Sequence, residues 1–306
     1  MPTVDILLLI ALSAIWGSSF IFIRWLAPVI GPVATADFRM LIAGVALVVF
    51  FFAAGIKPGW RKNFRQYLVI GLLNSAIPFL LYSAAALVLP AAMEAIFNSM
   101  SPMFGAVFAA AWLGEKLTAR KGVGLVLGVA GVAAMSSLGG LRLDLPTVLA
   151  VAACLMAPLC YGLAGVYIRK RATGIRPIAV AGGSQLLGGL ALLPFVAVAP
   201  PVAVVDGRVA LLVVAFALLC SAVAYVIYYK LIADVGPTRA LTVTFLIPVF
   251  AMGWGLLFLR EPITWSMVLG AAVILVGTYL VAARGRSTPA RSAASPPGSS
   301  RRIFGA

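Results

Sequence analysis

Apolar residues run along this 306-residue chain in ten blocks, near 4–25, 33–54, 66–88, 90–113, 120–138, 147–168, 177–198, 208–230, 238–259 and 264–283. Each block has the roughly 20-residue length that a helix needs to cross the hydrocarbon of a bilayer. The breaks between blocks are short and polar, which leaves no room for a soluble domain among them. The first block lacks the basic leader and small-residue cleavage site of a removable signal, so it is expected to remain as the first helix.

The blocks repeat. Residues 16–44 align with 161–189 at a constant offset of 145, placing Trp16-Gly17 on Tyr161-Gly162, Ile23-Arg24 on Ile168-Arg169, and Leu41 and Gly44 on Leu186 and Gly189. An offset of 146 continues the register, with Tyr82 on Tyr228, Pro102 on Pro248, Phe104 on Phe250, Glu115 on Glu261, Gly124 on Gly270 and Gly131 on Gly277. Five segments therefore occur twice, and because five is odd the second copy must face the opposite way. The expected fold is an all-α membrane protein of ten transmembrane helices built as two inverted five-helix repeats, 4–138 and 147–283. Inverted repeats of this kind commonly hold a solute near the midplane between the halves.

Composition agrees with a membrane setting: 63% of residues are hydrophobic, 10% are charged and the mean hydropathy is +1.11. With the N-terminus inside, only Arg24, Arg39, Arg142, Arg208 and Arg260 of the 23 Lys and Arg residues fall outside. Basic residues are retained on the cytoplasmic side, so both termini are expected there. The net charge of +15 is then a matter of topology and attraction to anionic membrane lipids, not a nucleic-acid footprint. Residues 284–306, rich in Ser, Pro, Ala and Arg, are expected to form a disordered basic cytoplasmic tail. Cys154, Cys160 and Cys220 all lie in spans and are read as small apolar filler.

Several chemistries are excluded by what is missing. The chain has no histidine, which removes His-dependent zinc sites, Ser-His pairs and imidazole relays. Its aspartates all sit at span ends or in loops, so a catalytic pair inside the membrane is not expected, and no Gly-rich phosphate loop is present. The chain is therefore expected to be neither an enzyme nor a nucleotide-driven pump, to need no cofactor or metal, and to draw on gradients for any work.

Polar side chains inside spans are costly and tend to face a bundle interior or cavity. In the fourth block Glu94, Asn98 and Ser101 share one helical face, with Pro102 beside them; Thr244 and Pro248 are the counterparts of Asn98 and Pro102. The matched prolines are expected to break or bend two helices around a shared site, as gates. Asn74 and Tyr82 in the third block, Tyr225 and Tyr228 in the eighth, and Trp16, Ser19 and Tyr161 in the first and sixth complete the candidate contact set. Glu94 is the one acidic side chain more than about three residues inside a span; it is expected to reach water or pair with Arg39, and it is also the one candidate for proton coupling. No Lys or Arg is expected at midspan. Glu115 and Glu261 are expected to order local turns beside Lys116 and Arg260. Glycines of the fifth and tenth blocks are read as close-packing positions, within a monomer or across a homodimer.

Together these residues resemble the ten-helix EamA-type transporters of the drug/metabolite transporter superfamily. The marks are Trp16-Gly17-Ser18-Ser19-Phe20 with Arg24, Phe38-Arg39, Ser101-Pro102-Met103-Phe104 and Gly114-Glu115-Lys116-Leu117, echoed by Pro248 and Glu261-Pro262. The resemblance implies a bacterial cytoplasmic-membrane exporter of small metabolites, amino acids first, that works by alternating access around a cavity lined by helices 1, 3, 4, 6, 8 and 9. Glu94 departs from the family pattern, which has small residues there. Two alternatives stay open: an importer or exchanger of organophosphate or nucleotide-sugar type, and a non-transporting membrane scaffold.

Overall fold

A computed structural model describes residues 2–138 and 144–282; the expected tail over 284–306 lies outside them, as does Arg142. Among the described residues every regular element is helical. The ten long helices are α1 (Thr3–Ile30), α2 (Pro32–Ala53), α3 (Trp60–Ala85), α4 (Ala91–Leu113), α5 (Ala119–Leu138), α6 (Leu145–Arg171), α7 (Pro177–Val198), α8 (Gly207–Val235), α9 (Val243–Leu259) and α10 (Trp265–Ala282), and eight of them, all but α5 and α9, are long and apolar enough to cross a membrane. Gly31, at a φ of 80°, turns α1 directly into α2, whose first residue is Pro32. Asp144 and Asp206 cap α6 and α8 by accepting from the Thr147 and Val209 amides. α3 starts six residues ahead of its apolar block, because its first turns carry Arg61, Lys62 and Arg65 and continue the helix beyond the hydrocarbon.

The two halves meet through contacts that occur in matched pairs. A Cβ added to Gly17 would lie 2.8 Å from Phe250 Cβ, and one added to its counterpart Gly162 would lie 2.9 Å from Phe104 Cβ, the counterpart of Phe250. Gly44 abuts Leu186 while Gly189 abuts Leu41, and Gly124 abuts Gly277 while Gly131 abuts Gly270. In the last two pairs one helix is read upward while the other is read downward, so α2 runs antiparallel to α7 and α5 to α10. That is the arrangement a two-fold axis in the membrane plane imposes on helices facing their own repeat mate. The small faces of α5 and α10 are thus spent on each other within the chain.

Call the side where α1 begins the near face and the opposite side the far face. The largest cluster of buried apolar residues joins Ile23, Leu26, Ile30, Ala86, Leu89, Ala91, Ile96, Cys154, Phe216 and Ile274 toward the far face and continues through Met103 and Ala251 to Val281. Toward the near face lie smaller clusters, with Leu9, Leu12, Leu231 and Val243 in one and Tyr67, Ile70, Ala172 and Val180 in another. Phe52, Val126, Leu211 and Trp265 are among the large apolar side chains left on the outside, where lipid is their solvent.

Each of α3 and α8 contains a π turn at equivalent places, Leu72–Ala76 and Leu218–Val223. The prolines do not match in the same way. α4 breaks after Asn98 and restarts at Ser101, with Pro102 in the new first turn, whereas the helix through Pro248 is continuous. The helix is broken beside its proline in one half only. Proline deprives the carbonyl four residues earlier of its helical donor. The Ser101 hydroxyl donates to the Asn98 carbonyl at 2.7 Å, while the counterpart of Ser101 is Ile247, which has no donor.

Gly17→Val and Gly162→Val should each lower stability by about 1–3 kcal/mol, since the added methyls overlap a neighbouring helix. Thermal unfolding of the purified variants checks this, and a melting curve unchanged in both would remove the close-approach argument.

Candidate functional site

Aromatic rings from four helices meet between the halves, again in mated pairs. Tyr228 on α8 packs against Trp16 on α1 with ring centroids 5.2 Å apart, and their repeat mates Tyr82 on α3 and Tyr161 on α6 lie 6.5 Å apart and stacked. Tyr225 adds an edge contact to Trp16 at 6.3 Å, Phe20 one to Tyr82 at 5.6 Å, and Tyr229 stacks on Tyr225 at 6.1 Å. The Tyr82 hydroxyl donates to Asn98 Oδ1 at 3.3 Å. Tyr225 stands beside Asn74, Ser75 and Gln185. Seven of the expected contact residues, Trp16, Asn74, Tyr82, Asn98, Tyr161, Tyr225 and Tyr228, therefore gather between the halves as the walls of a candidate chamber, and all but Tyr82 keep some accessible surface.

Three others are placed differently. Ser19 is buried against α8 beside Cys220. Ser101 spends its hydroxyl on the Asn98 carbonyl, as above. Thr244 lies in the first turn of α9 and donates to the Leu241 carbonyl at 2.8 Å, so it marks the near-face mouth instead of midspan. The cause is a break at Leu241 and Thr242, which delays the start of α9.

The charged residues overturn three expectations. Arg39 is 6% exposed and reaches the π turn of α8, where Nε donates to Ser221 Oγ at 2.8 Å and Nη2 to the Cys220 carbonyl at 3.4 Å. Its guanidinium lies between the rings of Phe79 and Phe216, at 3.9 and 4.5 Å. A cation does stand at midspan. Its backbone lies near the start of α2, and the length of the side chain carries the charge inward.

Glu94 is fully buried, neither of its oxygens has a hydrogen-bond partner, and it does not pair with Arg39. Both carboxylate oxygens of Asp37 are likewise buried without a partner. Glu115 and Glu261 do more than order local turns. Glu261 accepts from Arg24 Nε at 3.3 Å and from the Ala91 amide at 3.0 Å, while another Arg24 nitrogen donates to the Ala86 carbonyl. This knot ties α1, α3, α4 and the α9–α10 turn together at the far face. Its repeat mate is Arg169 with Glu115, 2.7 Å apart at the near face, to which Lys121 adds a contact at 3.7 Å. The same ion pair thus occurs at both faces in unequal settings: Arg24 and Glu261 are 32% and 15% exposed, Arg169 and Glu115 59% and 37%.

Comparison with known proteins turns on both halves. The profile of the EamA-like transporter family matches residues 4–137 and again 148–283. The chain belongs to this family. It is 26% identical over 292 residues to the uncharacterized transporter YvbV of Bacillus subtilis, covering 93% of each chain. It is 23% identical over 286 residues to a probable terminal-alkyne amino-acid exporter of Streptantibioticus cattleyicolor, covering 92% and 94%. A crystal structure 17% identical superposes with a TM-score of 0.65 over 92% of this chain and 96% of that one, which shows the shared fold. Family and relatives alike point to a transporter and not to an enzyme, and the chain is a multi-pass membrane protein.

The apolar pattern did not reveal Arg39, Gln185, Tyr229, Phe79 or Phe216 as parts of this transporter's chamber. Gln185 carried a signal nonetheless, as an amide at the centre of an otherwise apolar α7.

The two mated carboxylates titrate apart. Burial pushes Glu261 above the ordinary carboxylate range, and the hydrogen bond from Arg169 holds Glu115 below it. The Arg24–Glu261 pair is present above the raised value and is lost as pH falls through it, before Arg169–Glu115 is affected. The labelling rate of a cysteine introduced at buried Leu89, taken relative to a fully exposed cysteine at the same pH because the thiolate is the reacting form, should therefore rise as the medium is acidified, and Glu261→Gln should raise that ratio at every pH. Labelling independent of both would discount the knot as the far-face seal.

Proposed function

We propose that this protein is a secondary transporter of the bacterial cytoplasmic membrane, with both termini in the cytoplasm, that exports small amphipathic metabolites by alternating access. Amino acids are the first substrate class. The observation that carries this reading is the mated ion pair. One copy is partly buried and braced by the Ala86 carbonyl and the Ala91 amide, and the other is exposed, as expected of a machine caught in one of two related states. With the termini inside, the chamber opens to the cytoplasm, where an exporter loads. The aromatic walls and the polar atoms of Asn74, Asn98, Tyr161 and Tyr225 suit a small solute with an apolar body and polar ends. The Streptantibioticus relative, named a probable terminal-alkyne amino-acid exporter, supports the substrate class. Mutual occupation of the α5 and α10 glycine faces supports a monomer as the working unit.

Opening the far face requires the Arg24–Glu261 knot to part and the near-face helices to close on each other. Pro102, at the break in α4, supplies a bend for that movement, with Pro248 as its partner in α9. Glu94 is the coupling carboxylate in this reading, because a charged carboxylate buried without a partner is costly and changes of access change its solvation. A second reading is favoured by one observation: Arg39 puts a cation at midspan, as carriers of organophosphate or nucleotide-sugar type need.

Proteoliposomes holding the purified protein should take up members of a pooled, labelled amino-acid set in a saturable manner that responds to an imposed pH gradient. Uptake of sugar phosphates in their place would select the second reading, and no flux of either would sink both. Asn98→Ala should cut transport about tenfold with normal amounts of protein in the membrane. Glu94→Gln should abolish the response to the gradient while leaving downhill exchange, and a retained response would free Glu94 of the coupling role.

A further inference from the structure

Arg39 is a buried cation with no counter-ion. None of the ion pairs among the described residues involves it, and its hydrogen bonds go to two neutral oxygens, Ser221 Oγ and the Cys220 carbonyl. Two of the five guanidinium N–H donors are thereby used, Nε and one on Nη2. Both hydrogens on Nη1 and the second on Nη2 make no hydrogen bond among the described residues. The rings of Phe79 and Phe216 lie under the guanidinium carbon at 3.9 and 4.5 Å and offer no anionic partner, so the unused N–H groups are where an anion would bind. An in-plane approach to a pair of Nη groups is the geometry of a planar carboxylate on a guanidinium fork. Tyr161 and Tyr225, both partly accessible between the halves, are near enough to feel the charge.

We propose that Arg39 docks the carboxylate of the transported α-amino acid; this rests on the transport reading above and deepens it. The buried charge is then balanced only when the solute is bound. A carboxylate monoanion matches a single guanidinium, whereas a phosphomonoester dianion would leave one charge uncompensated in the bundle. The apolar body of the amino acid lies against the tyrosines, and the Ser221 and Cys220 contacts hold the guanidinium plane in register. A purely structural Arg39, bracing α2 to α8, would affect stability but would not distinguish an acid from its amide.

The test is binding to the full-length protein purified in detergent, read by ligand-induced thermal stabilisation and by titration. A pool of L-amino acids is set against a pool of the matching carboxamides. The acids should bind roughly ten- to a hundredfold more tightly than the amides, the loss expected for one charge-assisted contact. Arg39→Gln should erase that preference and Arg39→Lys should keep part of it. The acid-to-amide comparison on the unaltered protein stands even where Arg39→Gln does not fold. Equal binding of acids and amides, binding of neither, or an unchanged preference in Arg39→Gln each overturns the proposal. So does a phosphomonoester that competes about tenfold better than the acids. Acid-selective binding without flux in proteoliposomes would remove the transport reading and leave the anion site; flux of amines and amides without acid preference would do the reverse.

Discussion

Helices in a bilayer gain nothing by hiding apolar surface from lipid, so what holds this bundle together is the depth to which backbones approach each other. Gly17 against Phe250 and Gly162 against Phe104 bring α1 to α9 and α6 to α4 by the same device. Gly44 with Leu186 and Gly124 with Gly277, each with its mate, do so for the helices that face their own repeat partners. Everything else follows from that geometry. The chamber tyrosines converge because these contacts set the tilt of the helices that carry them.

Symmetry of sequence does not require symmetry of state. Arg24–Glu261 and Arg169–Glu115 descend from one motif, yet the first gains backbone partners at Ala86 and Ala91 while the second stands in solvent with Lys121. The break in α4 and the continuous helix at Pro248 repeat the asymmetry at the level of one hydroxyl, present on Ser101 and absent from Ile247.

Charge inside the bundle is handled unevenly. Arg39 is wrapped by two rings and two neutral acceptors, while Glu94 and Asp37 are left without hydrogen-bond partners. Arginine tolerates this better than a carboxylate because its charge is delocalised, weakly hydrated and stacks on aromatic faces. Buried charges that a protein does not neutralise for itself are the places where a solute or a proton can do so.

The repeat was legible in the chain because a two-fold related pair of contacts needs the same residue types twice at a constant spacing. Gly17 with Gly162, Tyr82 with Tyr228 and Glu115 with Glu261 all show it. Span number and inverted topology followed from length, hydropathy and the oddness of five, since lipid leaves the backbone few options. The chamber aromatics were legible for the same reason, as polar or bulky residues repeated on one helical face. Partner choice was not. The reach of Arg39 past its own turn, the isolation of Glu94 from it, and the capture of Glu261 by Arg24 across 237 residues depend on side-chain length and helix tilt, which hydropathy does not encode. A linear pattern assigns each residue to a face; only the packed bundle decides what stands opposite.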